Sequence, residues 1–288
     1  MFKRGVITDE ISQDFKTAVG LALKYGLDGV EIRSVWEKGP HELDGDDFGK
    51  IKNILAGTGL KVSGISAPFF KCSHDNPEEI RQHIGILENC MQLAQALGTN
   101  LIRGFTFWKK GSFEENLDCI VERFNEPVKL LEKEGMTLAL EFDPSVFASN
   151  ACKLAKVIKK INSKYVKGLW DPGNDIYDSD GEIPYPDGYN IILPHMVHVH
   201  LKDAARQADG KINGVPIGEG DVDYKGQFKA LIGGGYNGYV VLETHYRPKY
   251  EISEALLALP KGSAFSHNGY EATEECLVKW GKLMAELR

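Results

Sequence analysis

Four apolar segments in the second half of the chain each end in a residue that can bind a metal ion, and this pattern constrains the fold most. The segments are 137–141, 166–171, 196–200 and 239–243, and they end in Glu141, Asp171, His200 and Glu243. These residues are separated by 30, 29 and 43 positions, and one β-strand with its crossover helix needs roughly 30 residues or more. We therefore expect one such residue per βα unit, each at the carboxyl end of a strand.

Strand and helix patterns alternate along the whole chain. Short apolar segments bounded by turn-forming residues predict eight strands, at Gly5–Ile11, Gly29–Arg33, Lys61–Ala67, Leu101–Phe107, Thr137–Phe142, Val166–Trp170, Met196–Leu201 and Tyr239–Thr244. The stretches between them predict helices at Phe15–Tyr25, Phe48–Leu55, Pro77–Leu97, Phe113–Lys133, Asn150–Ile161, Tyr224–Ile232 and Glu271–Leu287. Alternation of this kind favours one parallel sheet, and eight units close a barrel. We predict a single-domain α/β protein, a (β/α)8 TIM barrel over residues 1–288.

An open doubly wound sheet is the alternative architecture. No GxGxxG segment follows the first predicted strand, so the dinucleotide-binding version of that sheet has no support. Two segments, at about 175–194 and 246–268, interrupt the regular pattern and are rich in turn-forming residues. Both would extend over the rim at the carboxyl ends of the strands. They are candidates for a lid or for contacts between copies in a homo-oligomer.

Charge and cysteine usage exclude several classes of partner. The net charge of −7 and the pI near 5.7 argue against nucleic acid, because a protein that binds phosphates needs a basic face. The five cysteines are scattered without paired spacing, which is typical of reduced thiols in a cytoplasmic protein. The chain shows no apolar leader and no membrane-spanning stretch, so we expect no membrane partner.

The four strand-end residues are a candidate metal site. Taken singly, each has an ordinary explanation: a solvated loop Glu for Glu141 and Glu243, a turn-forming Asp before Pro-Gly for Asp171, and a hydrogen-bonded core His for His200. Their coincidence at one rim, where active sites of barrels lie, favours the metal site. Oxygen and nitrogen donors in this mixture suit one Mn²⁺, Mg²⁺, Co²⁺ or Zn²⁺ ion.

Several motifs together resemble a known family. Glu141, the Asp171-Pro172-Gly173-Asn174 segment, the segment His198 to Asp203 (HVHLKD) and the segment Glu243 to His245 (ETH) are similar to the signature of the xylose-isomerase-like, or AP-endonuclease family 2, TIM barrels. The segment 218–224 (GEGDVDY) is similar to the GEGxVD segment of that family. The resemblance covers the chain in order, but the specific motifs lie in its second half.

The resemblance implies a function, a mechanism and further site residues. It implies a metal-dependent isomerase or epimerase of a sugar or sugar phosphate, in which Glu141 and Glu243 move a proton through an enediolate. It also implies a substrate-binding role for Arg206, six residues past His200. Lys202 and His245 lie two residues past His200 and Glu243 and share their inward sides. Either could contact the small carbohydrate.

Two further positions bear on the substrate. Trp108 ends the fourth predicted strand, where its ring could stack on a sugar or simply pack in the core. Asn174 stands where many epimerases of the family carry a histidine. The sequence therefore departs from the family pattern at a position expected to contact the substrate. Ser66, the segment 105–108 and Asn174 also lack the extra histidine ligands of the three-zinc DNA-repair members. A nuclease is therefore disfavoured.

Two other functions remain open at this stage. One is a lyase that is similar to inosose dehydratase or acts on a keto-glycoside. It would use the same metal site and begin with the same proton abstraction. The candidates for the proton donor to its leaving group are His198, His245 and Lys202. A barrel that serves as a non-catalytic subunit is the third hypothesis, and the presence of all four ligands argues against it.

Overall fold

Eight parallel strands close into a barrel in the computed structural model, which describes residues 1–287. The barrel strands are β1 (Lys3–Ile7), β2 (Gly29–Ile32), β3 (Lys61–Phe69), β4 (Leu101–Gly104), β5 (Thr137–Glu141), β6 (Val166–Trp170), β7 (Met196–Leu201) and β10 (Tyr239–Leu242). They follow one another around the barrel in chain order, and β10 closes it by pairing with β1, Lys3 opposite Tyr239 and Val6 opposite Leu242. The predicted (β/α)8 barrel is confirmed.

Helices follow the strands and pack around them. They are α1 (Phe15–Lys24), α2 (Gly45–Leu55), α3 (Pro77–Leu97), α4 (Phe113–Glu122), α5 (Asn125–Glu134), α6 (Ala151–Ile161), α7 (Pro172–Ile176), α8 (Tyr189–Ile192), α9 (Tyr224–Gly233), α10 (Glu254–Ala258), α11 (Gly262–Ser266) and α12 (Gly269–Ala285). The bounds of α3 match the prediction. Its start is set by the Asn76 side chain, which accepts from the backbone N–H groups of Glu78 and Glu79, and its end by Gly98 at φ +75°.

Two parts of the chain differ from the predicted elements. The single helix predicted at Phe113–Lys133 is two helices, because the chain turns at Arg123 and Phe124. The Phe124 ring is buried there with its centroid 5.2 Å from that of Phe70, and a tertiary contact of this kind leaves no signal in helix propensity. The sequence also did not predict the antiparallel hairpin of β8 (Asp203–Arg206) and β9 (Ile212–Val215), which leaves the barrel directly after β7.

The first barrel strand is shorter than predicted, and this matters for the site. β1 ends at Ile7, and residues Thr8–Glu10 form a 3-10 turn that is fully buried. The turn brings the carboxylates of Asp9 and Glu10 to the carboxyl end of the barrel. Charged side chains in so buried a position need partners, and the Arg33 guanidinium contacts both carboxylates.

Two irregular segments begin after the carboxyl ends of β6 and β10. Residues 175–194 contain the end of α7, a π-helical turn at Pro184–Gly188 and α8. Residues 246–268 contain α10 and α11. All five cysteines are free thiols, of which Cys72, Cys90 and Cys276 are buried. Among residues 1–287, no helix combines the length and the apolar composition that a membrane crossing requires.

Candidate active site

The four predicted ligands lie together at the carboxyl end of the barrel. Glu141 is the last residue of β5, Asp171 follows β6, His200 lies in β7 and Glu243 follows β10. One donor atom from each of the four lies within 4.8 Å of the others. Each residue is at most 2% exposed. Three carboxylates and an imidazole buried this closely need cations or protons to balance them.

A tight turn places Asp171. Its side chain accepts from the backbone N–H of Gly173 at 3.0 Å and so caps α7. Gly173 packs against the end of β7, where a Cβ atom would lie 2.4 Å from the carbonyl oxygen of Lys202. Only glycine permits this approach, so the Asp-Pro-Gly segment fixes the carboxylate beside the strand that carries His200.

The second glycine-rich motif anchors the hairpin. The backbone N–H groups of Gly218 and Gly220 donate to the Asp203 carboxylate at 2.8 and 3.0 Å. A Cβ atom at Gly220 would overlap that carboxylate. Burial raises the pKa of Asp203 to about 6, against the lowering effect of these backbone donors. The GEG segment thus holds the end of β7 without reaching the ligands.

His200 presents different nitrogens to two groups of carboxylates. Its Nδ1 lies 3.2 Å from Glu141 Oε1 and 3.8 Å from Glu243 Oε2. Its Nε2 lies 3.0 Å from Glu31 Oε1, on the opposite side of the ring. Burial by itself would lower the pKa of His200, but Glu31 and Glu141 raise it to about 10. The imidazole therefore carries a proton on each nitrogen in the metal-free site.

Lys202 lies between two of the ligands. Its Nζ is 2.8 Å from Asp171 Oδ2 and 2.9 Å from Glu243 Oε2. The side chain is 6% exposed. Burial alone would lower its pKa, but the two carboxylates raise it well above the ordinary value, so the amine is an ammonium ion. A cation thus already balances the two carboxylates in the chain without metal.

Two arginines neutralise the remaining charge. Arg33 Nη1 lies 2.6 Å from Glu243 Oε1, and Arg33 Nη2 lies 2.9 Å from Asp9 and 2.7 Å from Glu10. Arg103 Nη1 lies 3.2 Å from Glu141 Oε2. Both guanidinium groups are buried. Each ligand carboxylate therefore has at least one basic partner.

The surroundings shift the pKa values of Asp171 and Glu243 in opposite directions. Burial would raise the pKa of Glu243, but the cationic Lys202, His200 and Arg33 beside it hold it well below its ordinary value. His245 is not one of these cations, because burial lowers its own pKa well below the ordinary value. Burial raises the pKa of Asp171 to about 7, because Lys202 offsets the desolvation only in part. In the absence of a metal Glu243 therefore holds its negative charge more firmly than Asp171 does.

The structure brings three of the five predicted substrate residues to the ligands or their immediate neighbours. Lys202 contacts two ligands, and His245 Nε2 lies 3.4 Å from Glu243 Oε1. The Asn174 side chain is buried and donates to the carbonyl oxygen of Phe142 at 2.8 Å. Trp108 lies farther along the rim, with Lys71 Nζ 5.5 Å from the centre of its ring.

Arg206 lies apart from this group. It is the last residue of β8, on the hairpin, and it is exposed. Its Nη2 donates to the carbonyl oxygen of Ile176 at 3.0 Å, at the end of α7. A contact between Arg206 and a substrate on the four ligands would require the hairpin to move, and its role remains a prediction.

The segment 246–268 covers the mouth of the barrel. Lys71 Nζ donates to the carbonyl oxygen of Ala258 at 2.8 Å, and the Ser263 N–H donates to Glu37 Oε2 at 3.0 Å. The Phe265 ring is fully buried, with the Arg33 guanidinium 4.7 Å from its centre. These contacts help to bury the four predicted ligands, each of which is at most 2% exposed.

Four charged residues of the site were not predicted from the sequence: Glu10, Glu31, Arg33 and Arg103. A signal for the last three exists. Strands of a parallel barrel are buried and are typically apolar throughout, yet β2 reads Gly-Val-Glu-Ile and is followed by Arg33, and β4 reads Leu-Ile-Arg-Gly. A charge inside such a strand indicates a partner in the barrel. For Glu10 no such signal exists, because its position depends on the 3-10 turn.

Comparison with known proteins adds a family and several relatives. Residues 19–264 match the family model described as "Xylose isomerase-like TIM barrel". The chain is 26% identical over 250 residues to the L-ribulose-5-phosphate 3-epimerase UlaE of Escherichia coli (strain SMS-3-5 / SECEC). The matched region covers 82% of this chain and 85% of that protein.

Solved structures share the fold at lower identity. The D-psicose 3-epimerase of Clostridium cellulolyticum H10 superimposes with a TM-score of 0.74 at 16% identity, over 100% of both chains. The probable 3-DHS dehydratase AsbF of Bacillus anthracis superimposes with the same TM-score, 0.74, at 18% identity, over 97% of this chain and 99% of that one. At these identities the likeness establishes the barrel and not the reaction.

Proposed function

The chain belongs to the xylose isomerase-like TIM-barrel family, and on that premise we propose that it is an epimerase or isomerase of a keto-sugar. In this proposal one divalent ion is held by Glu141, Asp171, His200 and Glu243. The observation that carries it is the convergence of these four buried side chains from four successive strand ends, with donor atoms within 4.8 Å of one another. The name of the 26% identical relative supports a sugar as the substrate.

The donor set fits a divalent ion. Two Glu, one Asp and one His suit Mn²⁺, Mg²⁺, Co²⁺ or Zn²⁺, which accept oxygen together with imidazole nitrogen. Asp171 Oδ2 is buried and makes no hydrogen bond of acceptable geometry, although Lys202 Nζ lies 2.8 Å away. The ammonium supplies charge to this oxygen without a hydrogen bond, so the oxygen keeps lone pairs that a divalent ion could take.

The chain's own residues would move the proton. When bound, the divalent ion would act as a Lewis acid on the carbonyl oxygen and acidify the neighbouring carbon. In this proposal Glu141 and Glu243 remove a proton from that carbon and return one. Glu243 is held ionised by its basic neighbours, and this is the form that accepts a proton.

Basic groups and the covering segment would complete the site. Lys202 and Arg103 each contact a ligand carboxylate and could donate to a sugar oxygen as negative charge develops there. The segment 246–268, closed over the mouth, would exclude water from the reacting carbon. A lyase starts from the same proton removal and differs in its next step, the loss of a β-oxygen.

Proton exchange tests this function. The metal-loaded protein would be incubated in D₂O with a panel of free and phosphorylated ketoses and keto-glycosides, and the products followed by NMR. We expect deuterium at the carbon next to the carbonyl of at least one ketose, with the carbon skeleton and every hydroxyl retained. Release of water or of an aglycone, with an unsaturated product, would replace the epimerase with the lyase.

A further inference from the structure

Glu31 is a buried carboxylate that contacts one of the four proposed ligands, His200, on the side of its ring that faces away from the other three. It lies in β2, on a strand that carries none of the ligands, and it is fully buried. Its Oε1 lies 3.0 Å from His200 Nε2 and accepts from the Ser66 hydroxyl. Its Oε2 lies 2.7 Å from His198 Nε2 and 3.5 Å from the Ser63 hydroxyl. Both oxygens are therefore occupied by donors from the protein.

The fold aims this carboxylate at the histidines. The register between β2 and β3 shifts between Val30 and Glu31, and such an irregularity changes the direction of a side chain. Gly64 lies opposite Glu31, and a Cβ atom there would lie 2.7 Å from Leu101 Cδ2 and 3.6 Å from Glu31 Oε2. The glycine therefore makes room for the Leu101 side chain, and the Glu31 carboxylate packs beside it at ordinary contact distance.

A neutral imidazole at His200 can bind a metal through one ring nitrogen, and its other nitrogen then donates a hydrogen bond. Its Nδ1 faces Glu141 and Glu243, and its Nε2 faces Glu31. A ligand nitrogen must be free of its proton, and a neutral imidazole keeps one N–H. A carboxylate that accepts from this N–H selects the tautomer and fixes the plane of the ring.

We propose that Glu31 is a positioning residue, which holds His200 in the tautomer whose Nδ1 is free to bind the divalent ion. This inference rests on the metal site of the proposed function. Glu31 accepts the Nε2–H of His200 and the Nε2–H of His198, and Ser66 fixes the carboxylate. His198 contacts Glu31 and is not one of the four side chains that converge on the proposed ion.

The same three residues could hold an ion of their own, since donor atoms of Glu31, His198 and His200 lie within 4.8 Å of one another. That arrangement would use His200 Nε2 and would leave a proton on Nδ1, facing two carboxylates that are ligands in the proposed site. It would also displace the Ser66 hydroxyl from the carboxylate. The hydrogen-bonded arrangement requires neither change.

The variant Glu31→Gln tests the proposal, because glutamine keeps the size of the side chain and removes its charge. We expect the dissociation constant for Mn²⁺, measured by EPR titration of the metal-free protein, to rise roughly 10- to 100-fold, the range for removal of a partner behind a metal ligand. Asp47→Asn makes the same carboxylate-to-amide change at a buried position of α2, where Asp47 pairs with Lys38 at 2.6 Å, and is the matched control. It should leave the dissociation constant within about threefold of the wild-type value.

A measurement on the unaltered chain makes the test independent of how the variant folds. In ¹⁵N-histidine-labelled protein loaded with ¹¹³Cd²⁺, we expect metal–nitrogen coupling at His200 Nδ1 and a slowly exchanging proton on Nε2. Coupling at Nε2, or two ions per chain of which Glu31→Gln loses one, would overturn the positioning role. So would a Glu31→Gln protein that binds Mn²⁺ as tightly as the wild type.

Failure of the underlying metal site would look different. If the wild type binds no divalent ion, or if His200→Ala binds Mn²⁺ as tightly as the wild type, the proposed function loses its metal centre. If the wild type binds one ion through His200 and Glu31→Gln leaves affinity and coupling unchanged, only the role of Glu31 is wrong.

Discussion

Replacement of Lys202 by methionine should tighten the binding of a divalent ion. The ammonium lies 2.8 Å from Asp171 and 2.9 Å from Glu243, and all three side chains are at most 6% exposed. Removing one partner of a buried ion pair costs about 3–5 kcal/mol, because a buried charge is left without compensation. Lys202→Met should therefore destabilise the metal-free protein by about that much.

A bound divalent ion would supply the missing charge to the same two carboxylates. If half of the cost is recovered on binding, about 1.5–2.5 kcal/mol, the affinity rises roughly 10- to 70-fold, since about 1.4 kcal/mol corresponds to a factor of ten. The assay is calorimetric titration of chelator-treated protein with Mn²⁺ at pH 8, together with urea unfolding in EDTA.

Lys71→Met is the matched control for this experiment. Lys71 is similarly buried and paired with Asp143 at 3.2 Å, and Asp143 is not one of the four ligands. We expect its Mn²⁺ affinity to stay within about threefold of the wild type. If Lys202→Met binds Mn²⁺ no more tightly than the wild type, the ammonium does not compete with the ion, and the reasoning is refuted.

Three further outcomes follow from the site. Glu141→Gln and Glu243→Gln should each lower deuterium exchange at the substrate carbon by at least about 100-fold while a metal remains bound; exchange at the wild-type rate would leave that glutamate a ligand only. The pKa of Asp171 is raised to about 7 and that of His200 to about 10, so both groups must lose protons when the ion binds. Mn²⁺ affinity measured from pH 6 to 9 should therefore rise with pH, more steeply below 7 than above it, and an affinity that is constant over this range would contradict the two assignments. His245→Ala should lower turnover less than Glu243→Gln does, and steady-state kinetics with the ketose selected by proton exchange would show an equal or larger loss if His245 moves the proton.

The ends of elements were predictable where local chemistry marks them. The helix Pro77–Leu97 has a capping residue before it and Gly98 after it, and these depend on neighbouring residues alone. The strands Val166–Trp170 and Met196–Leu201 were likewise predicted with their observed bounds. The break at Phe124 was missed, because it depends on contact with Phe70, which is distant in the chain.

The candidate site likewise has residues that the sequence predicts and residues that it does not. Its four ligands follow apolar strands, and the geometry of a barrel brings strand ends together whatever their separation in the chain. The partners of these ligands depend on where side chains reach across the barrel: Glu31 approaches His200 through a register shift, and Arg33 approaches Glu10 through a turn that replaces the end of a strand. Spacing in the sequence carries no information on either.

The number of divalent ions bound per chain tests the account most directly, because the proposed chemistry and the roles of Glu31 and Lys202 all depend on it. Protein purified without chelator and dialysed against Mn²⁺-containing buffer, then freed of loose ions, would be measured by elemental analysis beside the Asp171→Asn and His200→Ala variants. We predict about one ion per wild-type chain and a clear loss in both variants. Two or three tightly held ions per chain, or one ion that both variants retain in full, would contradict the single site on Glu141, Asp171, His200 and Glu243.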